Sequence, residues 1–231
     1  MSVILIYEWD MNFIDRTSLG DTLAERVQQY HGKDAVVVCM QESSLLTCLT
    51  IARHIRAYVY PMIYEPVHSP DHVHLLVGAY DQDGEFIALP DGLADDEEKK
   101  LPEDIRKSLK KQKTAAMKSI RFALAGYGMT IDKRQLNGRD VILAADILTN
   151  EVPVIMARNL MKDITPRSLT AVVGNATPDV AQLVRISAAS TDIMDILTGI
   201  TFDEDHYFEH ADTYTIDEKR TLAQNITAYW Q

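Results

Sequence analysis

Residues 138–151 read Gly138-Arg139-Asp140-Val141-Ile142-Leu143-Ala144-Ala145-Asp146-Ile147-Leu148-Thr149-Asn150-Glu151. The run Val141 to Ala145 is a short apolar stretch between polar flanks and reads as a strand. Pro153 to Lys162 then reads as a helix with proline in its first turn, where the missing N–H costs nothing. Working outward, Leu169 to Gly174 is a second strand, Pro178 to Arg185 a helix, and Ile193 to Leu197 a third strand. Strand, helix and strand in short succession imply right-handed crossovers and a mainly parallel sheet flanked by helices, an α/β fold. Ligands of such sheets sit beyond the carboxyl ends of the strands. That directs attention to loops 40–44, 146–152 and 174–178.

The N-terminal half continues the pattern. Leu19, Leu23, Val27 and Tyr30 have helical spacing, and Ser18 with Asp21 three residues later suggests a cap, so a helix is expected over 18–31. Ala35 to Cys39 is a buried strand, and Leu45, Leu46, Leu49, Ala52 and Ile55 mark a second helix with Ser43 and Ser44 as its caps. Tyr58 to Tyr64 favours one strand. Leu75 to Tyr80, the turn Asp81-Gln82-Asp83-Gly84 and Glu85 to Leu89 read as a β-hairpin. Pro90 to Pro102 is a polar loop, and a long amphipathic helix follows over 103–125, stopped by Gly126 and Gly128.

At 231 residues, with 46% apolar and 25% charged side chains, the chain is expected to form one domain over 1–231. Lys plus Arg 23 against Asp plus Glu 34 gives a net charge of −11, which disfavours nucleic acid and anionic membrane surfaces as partners. The longest apolar run, Ala35 to Met40, is far short of the roughly 20 residues of a spanning helix. Met1-Ser2-Val3-Ile4 shows no basic region or cleavage site, so a cytoplasmic chain is expected, with Cys39 and Cys48 as free buried thiols.

The order of elements, together with the 138–151 segment, resembles the type I phosphoribosyltransferases. Their signature is a hydrophobic strand, two acids and a Thr/Gly-rich phosphate loop opening a helix. More narrowly, Asp15-Arg16, Leu23-Ala24-Glu25-Arg26, Val77-Gly78-Ala79 and the late Tyr-rich acidic segment resemble a group of phosphoribosyltransferases of unassigned substrate. The likeness spans roughly residues 13 to 220. It implies a β-hairpin, acidic loop and long-helix insertion over 86–128 and a C-terminal hood or tail over 198–231. It also implies a site in which Asp146, as the catalytic candidate, holds ribose. Thr149 and Asn150 would contact phosphate there, with Gln41, Glu42 and Ser43 facing them.

This sequence departs from that signature wherever an anion must be held. Ala145 stands in place of the first acid, and Glu151 stands in place of a loop glycine, putting a carboxylate where phosphate would go; Pro153 removes one N–H donor. Met40-Gln41-Glu42-Ser43 replaces a Pro-Arg-Gly-Gly type loop. The reading is therefore a phosphoribosyltransferase-like protein without transfer from phosphoribosyl diphosphate. It would act as a binding, regulatory or assembly subunit, homodimeric and with a protein partner; its small-molecule partner would be phosphoribosyl- or nucleoside-like, and a sugar or nucleoside held by the neutral and acidic residues that are left would be uncharged or cationic. The alternative is an active enzyme acting on a nucleobase or other nitrogenous acceptor, with Glu42 or Glu151 recruiting magnesium.

Other constellations have simpler explanations. His206-Tyr207-Phe208-Glu209-His210 matches a zinc hydrolase pattern only if helical, and its acidic surroundings favour a solvated loop. His68, His72 and His74 with Asp71 lie between prolines and read as a surface loop entering a strand. No protein-held metal is expected. Lys110, Lys111, Lys113 and Lys118 recur around the long helix as a solvated face or, less simply, a cationic lid.

Overall fold

The computed structural model describes residues 13–69, 72, 74–89, 103–127, 132–197, 207–210 and 212–229. In chain order they form α1 (Arg16–Arg26), β1 (Ala35–Cys39), α2 (Leu45–Ile55), β2 (Tyr58–Pro61), β3 (Tyr64–His68), β4 (Leu76–Asp81), β5 (Phe86–Ala88), α3 (Glu103–Tyr127), β6 (Asp140–Leu148), α4 (Val152–Met161), β7 (Ser168–Ala176), α5 (Pro178–Ser187), β8 (Ser190–Ile196) and α6 (Ile216–Tyr229). The main sheet has the order β2-β1-β6-β7-β8 and every pairing in it is parallel. β3, β4 and β5 make a separate antiparallel sheet. The expected α/β architecture, a mainly parallel sheet between helices with a hairpin and long-helix insertion, is the one present.

The central strand β6 is buried at all nine positions, which is why its sequence is an almost unbroken apolar run. Alternate residues feed two cores. Ile142 and Ala144 pack with Leu19 and Leu23 of α1 and Leu45, Ile51 and Ile55 of α2, while Val141, Leu143 and Ala145 pack with Val154 and Met156 of α4 and Val180 and Val184 of α5. Ala116 and Ile120 of α3 and Ala223 of α6 extend the first core.

Several local expectations are corrected. The first helix starts at Arg16, because Asp15 caps it: the Ser18 amide donates to Asp15 Oδ1 at 2.7 Å while the Asp15 amide donates to Ser18 Oγ at 3.1 Å. It ends at Arg26, and Gln28–Tyr30 is a short 3-10 turn. The stretch from Tyr58 is two strands in two sheets, since the chain leaves the main sheet after Pro61 through buried Met62 and Ile63. The hairpin is present but gains β3 as a third strand. Gly126 does not stop the long helix, which runs on to Tyr127; Gly128 and the 90–102 loop lie outside the described residues. Within the segment expected to form a C-terminal hood or tail lies the helix α6.

Gly174 of β7 lets neighbouring elements close in. A Cβ there would meet the Asp146 carbonyl oxygen at 2.4 Å and Leu19 Cδ2 at 2.9 Å. Gly174→Ala is expected to destabilise the protein by on the order of 1–3 kcal/mol, read as a lowered midpoint in chemical denaturation; an unchanged midpoint would mean that β7 and α1 are less tightly apposed than described.

Candidate functional site

The three loops beyond the carboxyl ends of β1, β6 and β7 meet as expected, but they are bonded to one another. Gln41 Nε2 donates to the Ile147 carbonyl at 2.8 Å, and the Thr177 amide donates to the Leu148 carbonyl at 3.1 Å. Asp146 lies on the α1 side of β6, two residues beyond Ala144, and its side chain is completely buried.

Every part of that carboxylate is engaged. Oδ2 accepts from Arg16 Nε at 2.7 Å. Oδ1 accepts from the Ile147 amide at 2.7 Å and from the Ser44 hydroxyl, whose oxygen in turn accepts from the Asp146 amide at 3.1 Å. Arg16 is 5% exposed, and its guanidinium lies 4.7 Å from the centroid of the Phe208 ring. Sequence reasoning gives Ser44 to the cap of α2. Ser44 is the N-cap residue, yet it makes no side-chain capping bond, because its hydroxyl turns to Asp146. In this arrangement the Asp146 side chain has no surface exposed to solvent.

A second knot ties down the loop after β1. Glu42 Oε1 accepts from the Tyr127 hydroxyl at 3.0 Å and from Arg220 Nε and Nη2 at 2.9 and 2.8 Å. Arg220 is buried against Gly126, where a Cβ would come within 2.9 Å of its Cδ, and its guanidinium stands 5.5 Å from the Tyr127 ring. That contact explains a glycine inside a helix. Burial, with the Glu42 charge next in weight, pushes the Tyr127 hydroxyl far above its ordinary value. Burial likewise pushes Tyr60 up to about 12. Cys39 and Cys48 are both free and buried, and the Cys48 thiol is raised by burial and by the neighbouring Cys39.

The remaining candidates line the start of α4. Thr149 and Glu151 are half-buried, and Asn150 is exposed. Asn150 Oδ1 accepts from the Val152 amide at 3.1 Å, Pro153 has no N–H, and the amides of Val154 and Ile155 donate to the Glu151 carbonyl at 3.1 and 3.0 Å. The helix start thus consumes its own donors, leaving no nest of free amides at Val152 to Ile155 for a phosphate. Ser43 is half-buried beside the two knots. Asn175 of β7 is completely buried, and among the described residues neither its side-chain nitrogen nor its oxygen has a hydrogen-bond partner.

Arg16, Tyr127 and Arg220 are site residues that sequence reasoning missed. Asp15-Arg16 is visible in the resemblance, but pairing across 130 positions leaves no local pattern. Of the histidine clusters, His68, His72 and His74 are exposed, and Phe208 bridges to Phe13 while Glu209 and His210 lie in a bend; His206 and Asp71 lie outside the described residues. Among the described residues no group of three or more His, Cys, Asp or Glu is placed to hold a metal ion, and no helix is long and apolar enough to cross a membrane. Lys110, Lys111, Lys113 and Lys118 are exposed, with Lys113 Nζ 5.4 Å from the Tyr80 ring centroid.

No family model matches the chain, and no curated protein matches it. Among solved structures it is similar to the protein TT1426 from Thermus thermophilus, with TM-score 0.70 and 18% identity over 92% of this chain and 98% of that one. This is a likeness of fold. Looser similarities, at TM-scores 0.41 and 0.40, are to a hypoxanthine phosphoribosyltransferase from Staphylococcus aureus and a hypothetical protein from Neisseria gonorrhoeae with bound ppGpp. The first is 14% identical over 79% of this chain and 72% of that one. The second is 12% identical over 91% of this chain and 92% of that one.

Removing Arg16 while leaving Asp146 strands a buried charge. Arg16→Met is expected to cost about 3–5 kcal/mol, and adding Asp146→Asn, which keeps an acceptor for the Ile147 amide, to recover most of it, as read from denaturation midpoints. Equal losses in the single and double variants would contradict the ion pair. Tyr60 and Tyr127 predict alkaline behaviour. Their folded-state values lie above the unfolded value near 10, so their contribution is complete below pH 10 and lost as pH rises from there toward 12. Stability should fall over that window, and Tyr127→Phe should reduce the fall, with a loss of about 1 kcal/mol at neutral pH.

Proposed function

We propose that this chain is a phosphoribosyltransferase-like protein that does not transfer from phosphoribosyl diphosphate and works as a binding, regulatory or assembly subunit. The observation that carries the reading is the internal saturation of Asp146: Arg16, Ser44 and the Ile147 amide occupy the carboxylate that the resemblance assigns to ribose. The engaged donors at the start of α4 and the acid at Glu151 support it, because both act against a bound phosphate. A fold of this kind does not by itself carry an activity.

A magnesium ion recruited by Glu42 or Glu151 fits poorly. Glu42 Oε1 already faces the Arg220 guanidinium, which repels a dication, and among the described residues no group of three or more His, Cys, Asp or Glu gathers around Glu151 to hold one. Apart from the Glu151 carboxylate, the polar groups left at the surface of this end of the sheet are the neutral Thr149 and Ser43, so a retained ligand would present hydroxyl, amide or cationic groups more readily than phosphate. The work of the protein would then lie in that binding, in the cytoplasm, as a homodimer or with a protein partner.

Calorimetric titration of phosphoribosyl diphosphate, with and without magnesium, tests this. No saturable heat is expected in either case, and none from Glu151→Gly, in which Asp146 stays tied to Arg16. Tight magnesium-dependent binding by the parent would overturn the reading. Binding regained by Glu151→Gly alone would assign the loss to that one carboxylate instead of to the sealed Asp146.

A further inference from the structure

A cleft of about 190 Å³ opens between the β2–β3 connection, α3 and the start of α6. One wall is Met62 and Ile63, the other Ile120 and Ala123, and Phe122 stands on the rim with 70% of its surface exposed. The residues with polar side-chain groups on the cleft are Glu42, Tyr64, Glu65, Ser119 and Arg220. Glu42 and Arg220 neutralise each other. Glu65 differs: its Oε2 accepts from the Ser119 hydroxyl at 3.0 Å, and among the described residues no cation stands within ion-pair distance of it. The cleft therefore combines apolar walls, an aromatic rim and one carboxylate without a counter-charge.

We propose that this cleft binds a small organic cation, a primary amine on a short apolar or aromatic body. The ammonium would donate to Glu65, where a charge-assisted hydrogen bond is about twice as strong as a neutral one. The apolar body would lie between Ile63 and Ile120, and Phe122 would cover it, a face that also attracts cations. The cleft is smaller than the roughly 300–1,000 Å³ of pockets for drug-sized molecules, so the ligand is small. Because Glu42 and Arg220 also line it, occupancy would brace the bond that holds the loop after β1 against α6. This inference goes beyond the loss of transfer and holds whether or not phosphoribosyl diphosphate binds.

The test uses phenethylamine, with phenethyl alcohol as its neutral counterpart and phenylpropionate as its anionic one. They are titrated calorimetrically into the full chain and into Glu65→Gln and Phe122→Ala. The parent should bind the amine in the millimolar range or tighter, and the alcohol and the acid at least about tenfold more weakly. Glu65→Gln should remove that tenfold preference without changing the alcohol, which also shows that the variant is folded. Phe122→Ala should weaken amine and alcohol together. Equal binding of amine and alcohol by the parent, an unchanged preference in Glu65→Gln, or no binding of any of the three would overturn the proposal.

Discussion

The ion pair between Arg16 and Asp146 is the constraint around which the rest of the molecule is arranged. It joins the first turn of the first helix to the carboxyl end of the central strand, almost entirely out of water. Two ions in that position are stable only if their remaining hydrogen-bonding capacity is met. The structure supplies the Ser44 hydroxyl and the Ile147 amide to the carboxylate and the Phe208 ring to the guanidinium. Thr47 adds to the assembly by donating its hydroxyl to the Arg16 carbonyl at 3.1 Å. Gly174 completes it, because a side chain there would push β7 away from Asp146. A group held this way orders its surroundings, and it is withdrawn from the ligand chemistry that its place at a strand end suggests.

What can be read from the sequence follows from how local each signal is. Apolar runs such as Val141 to Ala145 and helical spacing such as Leu19, Leu23 and Val27 depend on neighbours in the chain, so the alternation of strands and helices and the parallel sheet are legible. Boundaries fail where a side chain has two possible partners. Ser18 reads as the cap of the first helix, whereas Asp15 holds that place, and Ser44 reads as a cap, whereas Asp146 claims its hydroxyl. Gly126 reads as a stop, but Arg220, 94 positions away in the chain, fills the space above it.

The site is legible as a place and not as a set of bonds. Loops 40–44, 146–152 and 174–178 do meet, as strand order alone requires. That Glu42 serves Tyr127 and Arg220, and Asp146 serves Arg16, depends on contacts between distant segments that leave no motif behind. Glu42, an acid that stands where an anion binder is expected, becomes intelligible from these contacts. Glu42 anchors the C-terminal helix across the mouth of the loop, so its charge serves closure of the fold.

Native-state hydrogen exchange at the Asp146 and Ile147 amides, followed with and without phosphoribosyl diphosphate and magnesium, measures this closure most directly. The account predicts protection equal to that of the neighbouring amides of β6, unchanged by the added compounds, because both amides belong to the Asp146–Ser44 network. Rapid exchange at these two positions, or exchange that slows when the compounds are added, would contradict it, by showing that Asp146 opens and that a ligand closes it.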